Sequence, residues 1–487
     1  MQTIALVLAA GQGTRMKSHK PKVIHEILGI PMVELVIDAA RQAGCNETIV
    51  VTGHEAQQVE DVLPAGVHVV HQEQRIGTAN AVAVAQEKVA ELTARPDKAP
   101  ATDPTNGALV VLSGDVPLLT ANTIEKLIRH CVDTQSAMTV LTAILPDATG
   151  YGRIVRDPQT GEVQRIVEHK DATEAERALN EINTGIYCFA LDNLFTRLAL
   201  IDNNNAQGEY YLTDMLALLK AAGQRVTALA VENPDEVGGV NSRVQLADAT
   251  ALLQQRINTA HMVNGVTIVS PQTTWISPRV ALEQDVTIHP NTHLMGTTYV
   301  ATGAVIGPDT RITNSDIGAG SVIDSSIVLD STIRSNVSVG PRSYIRPNCH
   351  VDDDAKVGTS VEIKAAHIGK GSKVPHLSYV GDAEIGTNCN LGAGTITCNY
   401  DGYHKSQTTL GNDVFVGSDT MLVAPVRIGN GAVIGAGSVI TKEVPADALA
   451  LERNEQVIKE GWAAHHRAQH HTEIQITTRE EASQNNG

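Results

Sequence analysis

Apolar and polar residues follow two different patterns along the chain, and the first occupies the N-terminal half. There, short apolar runs predict buried strands at Ile4–Ala9, Thr48–Thr52, Val67–His71, Ala108–Leu112 and Met138–Ile144. Between them, the spacing of apolar residues predicts helices at Met32–Ala43, Ala79–Glu91 and Ile124–Val132. This alternation predicts an α/β domain with a mostly parallel sheet, whose ligands bind at the carboxyl ends of its strands.

The second pattern begins near residue 265 and repeats about every six residues. An aliphatic residue recurs and is often followed by glycine, as in Ile306-Gly307, Val339-Gly340 and Ile434-Gly435. Such hexapeptide repeats are typical of a parallel β-helix, in which each hexad supplies a short strand and a turn. The spacing alone does not set the hand of the helix, and the general preference of crossover connections would favour a right-handed one.

Four segments interrupt or flank these patterns. One amphipathic helix is predicted at Arg243–Met262 and is interpreted as a connecting arm. The polar stretch Cys398–Thr409 is expected to leave the β-helix as a loop. Thr93–Gly107 is expected to be a surface loop, and the histidine-rich tail His465–Gly487 a solvated end rather than a metal site.

Composition narrows the possible partners. The 487 residues carry a net charge of −17, which argues against nucleic acid or an anionic membrane as a partner. The six cysteines include no Cys-x-x-Cys pair, so we expect reduced thiols in a cytoplasmic protein. Neither a secretory leader nor an apolar run long enough to cross a bilayer is expected.

The loop after the first strand, LAAGQGTRMKSHKPK (Leu8 to Lys22), is a candidate phosphate site. Gly11 and Gly13 allow the backbone to approach a phosphate, and Arg15 and Lys22 supply positive charge. The loop lacks the Walker lysine, and Met16 stands where a dinucleotide-binding loop has its third glycine. A plain glycine turn with a solvated basic face is the alternative.

A second candidate is Asp115, within SGDVP at the end of an apolar strand. Its carboxylate could hold Mg²⁺ opposite the phosphates, although an aspartate at such a turn is more often a helix N-cap. Further polar positions at the ends of predicted elements are candidate contacts of the same site, each a plausible turn or cap by itself: Gln72, Gly77, Thr78, Gly152, Glu168, Asn183 and Asn241.

The β-helix could be only a scaffold, but some of its residues suggest chemistry. Arg346, Lys364 and Lys405 add positive charge where a sugar phosphate could dock. His376 is expected at a coil corner with its ring in solvent, where a histidine is suited to remove a proton at neutral pH. An exposed surface histidine without a role is the alternative.

The order of the motifs resembles one family very specifically. The motifs LAAGQGTRM-x₄-PK, GDVP, TGYGR, VEHKDA, EINTGI and NNNAQGEYYLTD, followed by hexapeptide repeats, are similar to the bifunctional N-acetylglucosamine-1-phosphate uridyltransferase/glucosamine-1-phosphate acetyltransferase family over roughly residues 1–462. The resemblance implies an α/β Rossmann-like nucleotidyltransferase domain followed by a left-handed parallel β-helix that forms a homotrimer with acyl sites between subunits.

The resemblance assigns residues to the uridylyl-transfer site. Arg15 and Lys22 would neutralise the triphosphate of UTP, and Asp115 and Asn241 would hold Mg²⁺. Gly152, Glu168 and Asn183 would fix the acetylated sugar. The uridine and its phosphates would contact Leu8, Ala9, Ala10, Gly11, Gln72, Gly77 and Thr78.

It also assigns residues to the acetyl-transfer site. His376 would be the general base that frees the amino group of glucosamine 1-phosphate for attack on the acetyl-CoA thioester. The sugar phosphate would contact Arg346 and Lys364, and the sugar Tyr379 and Asn390. Acetyl-CoA would contact Ala393, Asn399, Tyr400, Ser418, Ala436 and Arg453.

These inferences predict a uridylyltransferase domain at 1–241, a helical arm at 242–262, an acetyltransferase β-helix at 263–450 and a tail at 451–487. The predicted enzyme acetylates glucosamine 1-phosphate and then uridylylates it, giving UDP-N-acetylglucosamine for peptidoglycan and lipopolysaccharide precursors. Two alternatives remain: a nucleotidyltransferase whose β-helix is only an oligomerisation scaffold, and a sugar-nucleotide binding protein without enzymatic activity.

Overall fold

The computed structural model describes residues 2–74, 76–93, 107–191 and 194–469. The chain divides into two compact units, Met1–Ile317 and Gly318–Gly487. The predicted loop Thr93–Gly107 and the predicted tail His465–Gly487 lie largely outside the described residues. The bounds of the four predicted segments stay predictions.

The first unit contains a mixed sheet in the order β11-β7-β10-β6-β1-β4-β5. Strands β1, β4, β5 and β6 run parallel, whereas β10 runs antiparallel between β6 and β7. The five predicted strands and the mostly parallel sheet are confirmed. In chain order the strands are β1 Gln2–Leu8, β2 Glu26–Ile27, β3 Ile30–Pro31, β4 Glu47–Thr52, β5 His68–His71, β6 Gly107–Ser113, β7 Met138–Ile144, β8 Arg153–Arg156, β9 Val163–Val167, β10 Glu181–Ala190 and β11 Val226–Ala230.

Helices pack on both faces of this sheet over two apolar clusters. The single helix predicted at Ala79–Glu91 is wrong: it is two helices, because the Ala85 amide bonds the carbonyl of Val82 and tightens the chain there. The helices are α1 Met32–Gln42, α2 Ala56–Glu60, α3 Thr78–Ala83, α4 Gln86–Thr93, α5 Ala121–Asp133, α6 Glu174–Arg177, α7 Leu194–Leu198, α8 Met215–Ala221 and α9 Arg243–Val263.

The predicted connecting arm is helix α9, and its buried side chains are polar as well as apolar. Ala249 and Leu253 bury their side chains in an apolar cluster with Met32 and Leu118. Two polar side chains of α9 are buried as well, because the Gln254 and Asn258 amides donate to backbone carbonyls of residues 271–274. These bonds satisfy carbonyls at the start of the first coil, which the sequence pattern did not indicate.

The remainder of the first unit consists of short parallel strands in three sheets, as the hexapeptide spacing predicts. Each strand pairs in parallel with the strand three places later in the chain, as β12 does with β15 and β13 with β16. The strands are β12 Thr267–Ile268, β13 Trp275–Ile276, β14 Ala281–Leu282, β15 Thr287–Ile288, β16 His293–Met295, β17 Tyr299–Val300, β18 Val305–Ile306, β19 Arg311–Thr313 and β20 Asp316–Ile317.

The second unit repeats this architecture over more coils. In this unit, β21, β22 and β23 are the first strands of the first, second and third sheets. Each strand pairs with the strand three places later in the chain, except at the end of the first sheet, where β39 pairs with β41. The strands are β21 Val322–Ile323, β22 Ile327–Leu329, β23 Thr332–Ile333, β24 Ser338–Val339, β25 Tyr344–Ile345, β26 His350–Val351, β27 Lys356–Thr359, β28 Glu362–Lys364, β29 His367–Ile368, β30 Lys373–His376, β31 Tyr379–Gly381, β32 Ala383–Ile385, β33 Asn390–Leu391, β34 Ile396–Cys398, β35 Thr408–Leu410, β36 Phe415–Val416, β37 Met421–Val423, β38 Val426–Ile428, β39 Val433–Ile434, β40 Val439–Ile440 and β41 Leu449–Ala450.

The interior of this unit is a stack of aliphatic side chains. Val357, Val374, Leu391 and Val416, for example, follow one another along the first sheet and are fully buried. Many coil corners have a positive φ and are occupied by asparagine or aspartate, such as Asn388 at 54°, residue types that tolerate this backbone conformation. The polar loop after Cys398 leaves the stack as predicted, with a bridge between Tyr400 and Lys405.

Candidate active sites

A cavity of about 280 Å³ opens at the carboxyl ends of β1 and β6, where the sequence predicts the first site. Most of the residues predicted to contact UTP line it, together with Asp115. The lining residues are Leu8, Ala10, Gly11, Lys22, Val23, Gln72, Gly77, Thr78, Ala81, Ser113, Asp115 and Glu209.

The two predicted metal ligands converge on one cation in this cavity. The Lys22 ammonium donates to the Asp115 carboxylate and, at 3.0 Å, to the Asn241 side-chain oxygen. The Asn241 amide nitrogen donates to the Gly239 carbonyl at 3.2 Å, which turns its oxygen toward Lys22. A carboxylate and an amide oxygen aimed at one positive charge are ligands that suit a hard divalent cation.

Local backbone geometry sets the position of Lys22. Gly13 has a φ of 66°, and a side-chain carbon there would lie 2.5 Å from the Lys22 Cβ. Only glycine therefore allows the loop to fold against Lys22. Met16, which stands in place of a third glycine, is 1% exposed and packs in the interior.

A second wall of the cavity is formed by Gln72, Gly77 and Thr78. The buried Gln72 donates to the Gly77 carbonyl at 3.3 Å and to Asn80 at 2.8 Å, which fixes its carboxamide. A side chain at Gly77 would lie 2.3 Å from the Tyr210 carbonyl oxygen. The Thr78 hydroxyl accepts the Leu212 amide at 3.0 Å, so the loop around Tyr210 holds this wall in place.

The three predicted sugar contacts also lie together. The Asn183 amide donates to the Gly152 carbonyl at 2.9 Å, and a side chain at Gly152 would meet the Glu168 carboxylate at 3.4 Å. Burial raises the pKa of Glu168, and neighbouring carboxylates, including that of Glu209, add to the shift. Since Glu209 lines the cavity, these contacts lie close to it.

Six predicted residues of this site are not among those that line the cavity: Ala9, Arg15, Gly152, Glu168, Asn183 and Asn241. Ala9 is 2% exposed, and its amide bonds the Val51 carbonyl within the sheet. Arg15 is exposed on the glycine loop. Conversely, sequence reasoning gave no role to Glu209, although it lies within the motif NNNAQGEYYLTD. It also missed Asn80, which no local pattern marks because it reaches the site through the packing of separate elements.

In the second unit, His376 begins a column of residues along one edge of the β-helix. Its carbonyl accepts the Gly394 amide, and the carbonyl of Ala393 accepts the Asp419 amide. Ser418 and Ala436 continue the column, and the Arg453 guanidinium donates to the Ala436 carbonyl at 3.1 Å. These predicted acetyl-CoA contacts are thus spaced by one strand separation each, roughly 4.8 Å, and the exposed His376 lies at one end of the column.

Two ammonium groups lie side by side near this edge. The nearby Lys364 lowers the pKa of Lys405, which the Asp382 carboxylate and Tyr379 partly oppose. Like charges so close are costly unless an anion binds between them. An anion bound between the two ammonium groups would relieve this repulsion, and the sugar phosphate contact at Lys364 stays a prediction.

Tyr379 and Asn399 link the loop to the coil beneath it. The Asn399 amide donates to the Asp382 carboxylate and lies 3.5 Å from the Tyr379 hydroxyl. A side chain at Gly381 would lie 2.3 Å from that hydroxyl, so glycine leaves space for the ring. Tyr400 follows with 61% of its surface exposed.

Arg346 and Asn390 are the other two residues predicted to contact the sugar phosphate and the sugar. Arg346 pairs with Glu362 at 2.9 Å, with its guanidinium 6.0 Å from the centre of the Tyr344 ring. A phosphate would have to compete with Glu362 for this guanidinium. Asn390 is half-buried on β33, in register with Lys373 and three residues before Ala393.

Fold and sites together define a nucleotidyltransferase domain joined to a hexapeptide-repeat acyltransferase. The family model of the MobA-like NTP transferase domain matches residues 5–148, and that of the bacterial transferase hexapeptide (six repeats) matches residues 407–442.

Relatives match almost the whole chain. It is 49% identical over 459 residues to the bifunctional protein GlmU of Brevibacillus brevis, covering 94% of this chain and 96% of that protein. It is 46% identical over 459 residues to GlmU of Thermoanaerobacter pseudethanolicus, covering 94% and 97%. For GlmU of Streptomyces avermitilis the identity is 46% over 466 residues, covering 95% and 94%.

The chain therefore belongs to the GlmU family. It is a bifunctional transferase of UDP-N-acetylglucosamine synthesis, with a uridylyltransferase and an acetyltransferase activity, and its fold is an α/β nucleotidyltransferase domain followed by a left-handed parallel β-helix. Among the residues that the structure describes, no helix combines the length and apolarity needed to span a membrane.

Proposed function

We propose that the cavity at β1 and β6 binds UTP and N-acetylglucosamine 1-phosphate and carries out uridylyl transfer. A phosphate oxygen of the sugar attacks the α-phosphorus of UTP, and the bond to the leaving pyrophosphate breaks. Lys22 and Arg15 would offset the negative charge of the phosphates, and the backbone at Ala9, Ala10 and Gly11 would contact the nucleotide. Positioning and charge compensation are the main demands of this reaction.

Mg²⁺ is the proposed metal of this site, held by Asp115 and Asn241. The convergence of their oxygens on the Lys22 ammonium supports this assignment, because it marks a point where a cation is stabilised. Asp115 and Asn241 would hold the ion, which would supply positive charge to offset that of the phosphates. Lys22 would then turn from Asp115 and Asn241 toward the triphosphate.

The sugar is proposed to bind at Gly152, Glu168 and Asn183. Glu168 can accept hydrogen bonds from sugar hydroxyls, and Gly152, which has no side chain, leaves room for the sugar ring beside Glu168. Leu8, Gln72, Gly77 and Thr78 would contact the uridine, with the fixed carboxamide of Gln72 suited to the polar edge of a base.

The acetyl-transfer site is proposed along the column that begins at His376. A ring nitrogen of His376 accepts a proton from the amino group of glucosamine 1-phosphate as that group attacks the thioester carbonyl. The new C–N bond forms, the C–S bond breaks, and the proton passes from His376 to the departing CoA thiolate. Lys364 and Arg346 would hold the sugar phosphate, and Tyr379 and Asn390 the sugar. Acetyl-CoA would extend past Ala393, Asn399, Tyr400, Ser418, Ala436 and Arg453.

The proximity of Lys364 and Lys405 is the observation that favours this site over a purely structural β-helix. A scaffold gains nothing from two adjacent cations, whereas a phosphate site does.

We also propose a cytoplasmic homotrimer. Exposed apolar side chains at Phe415, Val433 and Leu449 occupy successive strands of the first sheet, which suits a contact between copies. All six cysteines are free thiols, as expected in a reducing compartment. Sedimentation at increasing protein concentration tests the trimer, and a monomer at all concentrations would refute it.

One assay separates the two activities. The protein is incubated with glucosamine 1-phosphate, acetyl-CoA, UTP and Mg²⁺, and free thiol and pyrophosphate are followed separately. We expect thiol release without UTP, and pyrophosphate release only after the sugar is acetylated. Absence of thiol release would leave the β-helix as a scaffold, and absence of both products would leave a binding protein.

A further inference from the structure

Two imidazole rings converge on one carboxylate on the outer side of the third sheet. His350 and His367 are register partners on β26 and β29, and Asp352 follows β26. The His350 Nε2 lies 3.1 Å from one Asp352 oxygen, and the His367 Nε2 lies 2.9 Å from the other. None of these residues belongs to either proposed active site.

We propose that His350, Asp352 and His367 bind one divalent transition-metal ion of the zinc class. One ligand atom from each lies within 4.8 Å of the other two. Ligands of tetrahedral zinc are roughly 3.3 Å apart, as follows from bonds of about 2.0–2.1 Å. Small rotations of these half-buried side chains therefore suffice to close the site around an ion, and solvent can supply the fourth ligand.

Glu384 supports the assignment by its contact with the opposite side of the His367 ring. It is the register partner of His367 on β32, and its carboxylate lies 2.5 Å from the His367 Nδ1. A carboxylate there holds the proton on Nδ1 and leaves the Nε2 lone pair for the metal. Metal-binding histidines usually have such a partner, which orients the ring and strengthens the ligand.

The ligand types determine the class of ion. Two imidazoles with one carboxylate suit zinc, cobalt or nickel, whereas magnesium and calcium prefer oxygen ligands throughout. The competing explanation is a network of ion pairs in which a protonated His367 links Asp352 and Glu384 without a metal. The two explanations differ in whether the cluster binds metal at all.

The test uses the full chain with His465, His466, His470 and His471 replaced by alanine, because the histidine-rich tail could also bind metal. Excess Mg²⁺ occupies oxygen-ligand sites. Bound Zn²⁺ is measured by equilibrium dialysis and elemental analysis, and Co²⁺ binding by the visible absorption of a nitrogen-ligated, low-coordinate ion. We expect one ion per chain.

Matched variants locate the ion. Asp352→Asn and His367→Gln should each lose it, while Asp354→Asn, which removes a carboxylate that pairs with Lys370 instead, should keep it. Glu384→Gln should weaken binding by about 10–100-fold without changing the number of ions at saturation. Retained uridylyl transfer and circular dichroism show that each variant is folded. The proposal would be overturned if the chain with only the four tail histidines replaced did not bind zinc, or if Asp352→Asn bound as much zinc as that chain.

Discussion

Replacing Gly381 with alanine should damage acetyl transfer selectively. The new methyl group would lie 2.3 Å from the Tyr379 hydroxyl oxygen and 2.6 Å from the ring carbon that bears it. Ordinary contacts are about 3.5–4.0 Å, so the ring must retreat by roughly 1 Å. That movement breaks the approach of Tyr379 to Asn399, which anchors the loop through Asp382.

The expected loss follows from this displacement. A misplacement of about 1 Å in a positioned group can cost on the order of 10²-fold in rate, so kcat/KM for thiol release from acetyl-CoA should fall by about that factor. Pyrophosphate release from UTP and N-acetylglucosamine 1-phosphate should be unchanged. Equal loss of both activities would indicate misfolding instead of a displaced ring.

A double-mutant cycle identifies the cause. If the clash with the ring is responsible, the Gly381→Ala change should cost little acetyl transfer in a Tyr379→Ala background. The same fold-loss in both backgrounds would refute the reasoning, because no ring is then left to displace.

Four other predictions test single groups. His376→Ala should lower acetyl transfer by roughly 10²–10⁴ and spare uridylyl transfer; a normal rate of thiol release would remove it as the base. Asp115→Ala should abolish Mg²⁺-dependent pyrophosphate release alone, and unchanged release would exclude Asp115 from the metal site. Lys405→Ala should raise the KM for glucosamine 1-phosphate more than that for acetyl-CoA, which a purely structural role would not do. Burial raises the pKa of Glu168 above its ordinary value of 4.5. Folding therefore takes up a proton, and the free energy of unfolding falls as pH rises from 4.5 through the folded pKa. In urea unfolding, Glu168→Gln should therefore gain stability relative to the wild type from pH 4 to pH 8, and a constant difference would contradict this.

Periodic features were predictable because they repeat or depend on local chemistry. The βαβ alternation located the five buried strands, and the spacing of residues such as Val357 and Val374 located the coils. The turn in the first loop was likewise predictable from its glycines, since Gly13 has a positive φ that other residues rarely adopt. The break between α3 and α4 was not predictable, because its apolar residues continue the helical pattern across the turn at Ala85.

Individual site residues could be proposed from the sequence, but their arrangement could not. Sequence reasoning named Lys22, Asp115 and Asn241, but only the fold brings residues so distant in sequence to one point. Glu209 stood in a motif without an assigned role, and the buried amides of α9 had no signal, because a polar residue in a loop or helix gains its role from whatever packs against it.

The sequence by itself determined the period of each half, the glycine positions and the family, because these depend on residue identity and local spacing. The tertiary structure decided which charges meet. It paired Lys364 with Lys405 across the inserted loop, aligned His376 with Ala393, Ser418 and Ala436 on one edge, and placed His350 and His367 around Asp352. The last two juxtapositions arise from the stacking of coils, which makes residues one coil apart in sequence into neighbours about 4.8 Å apart in space.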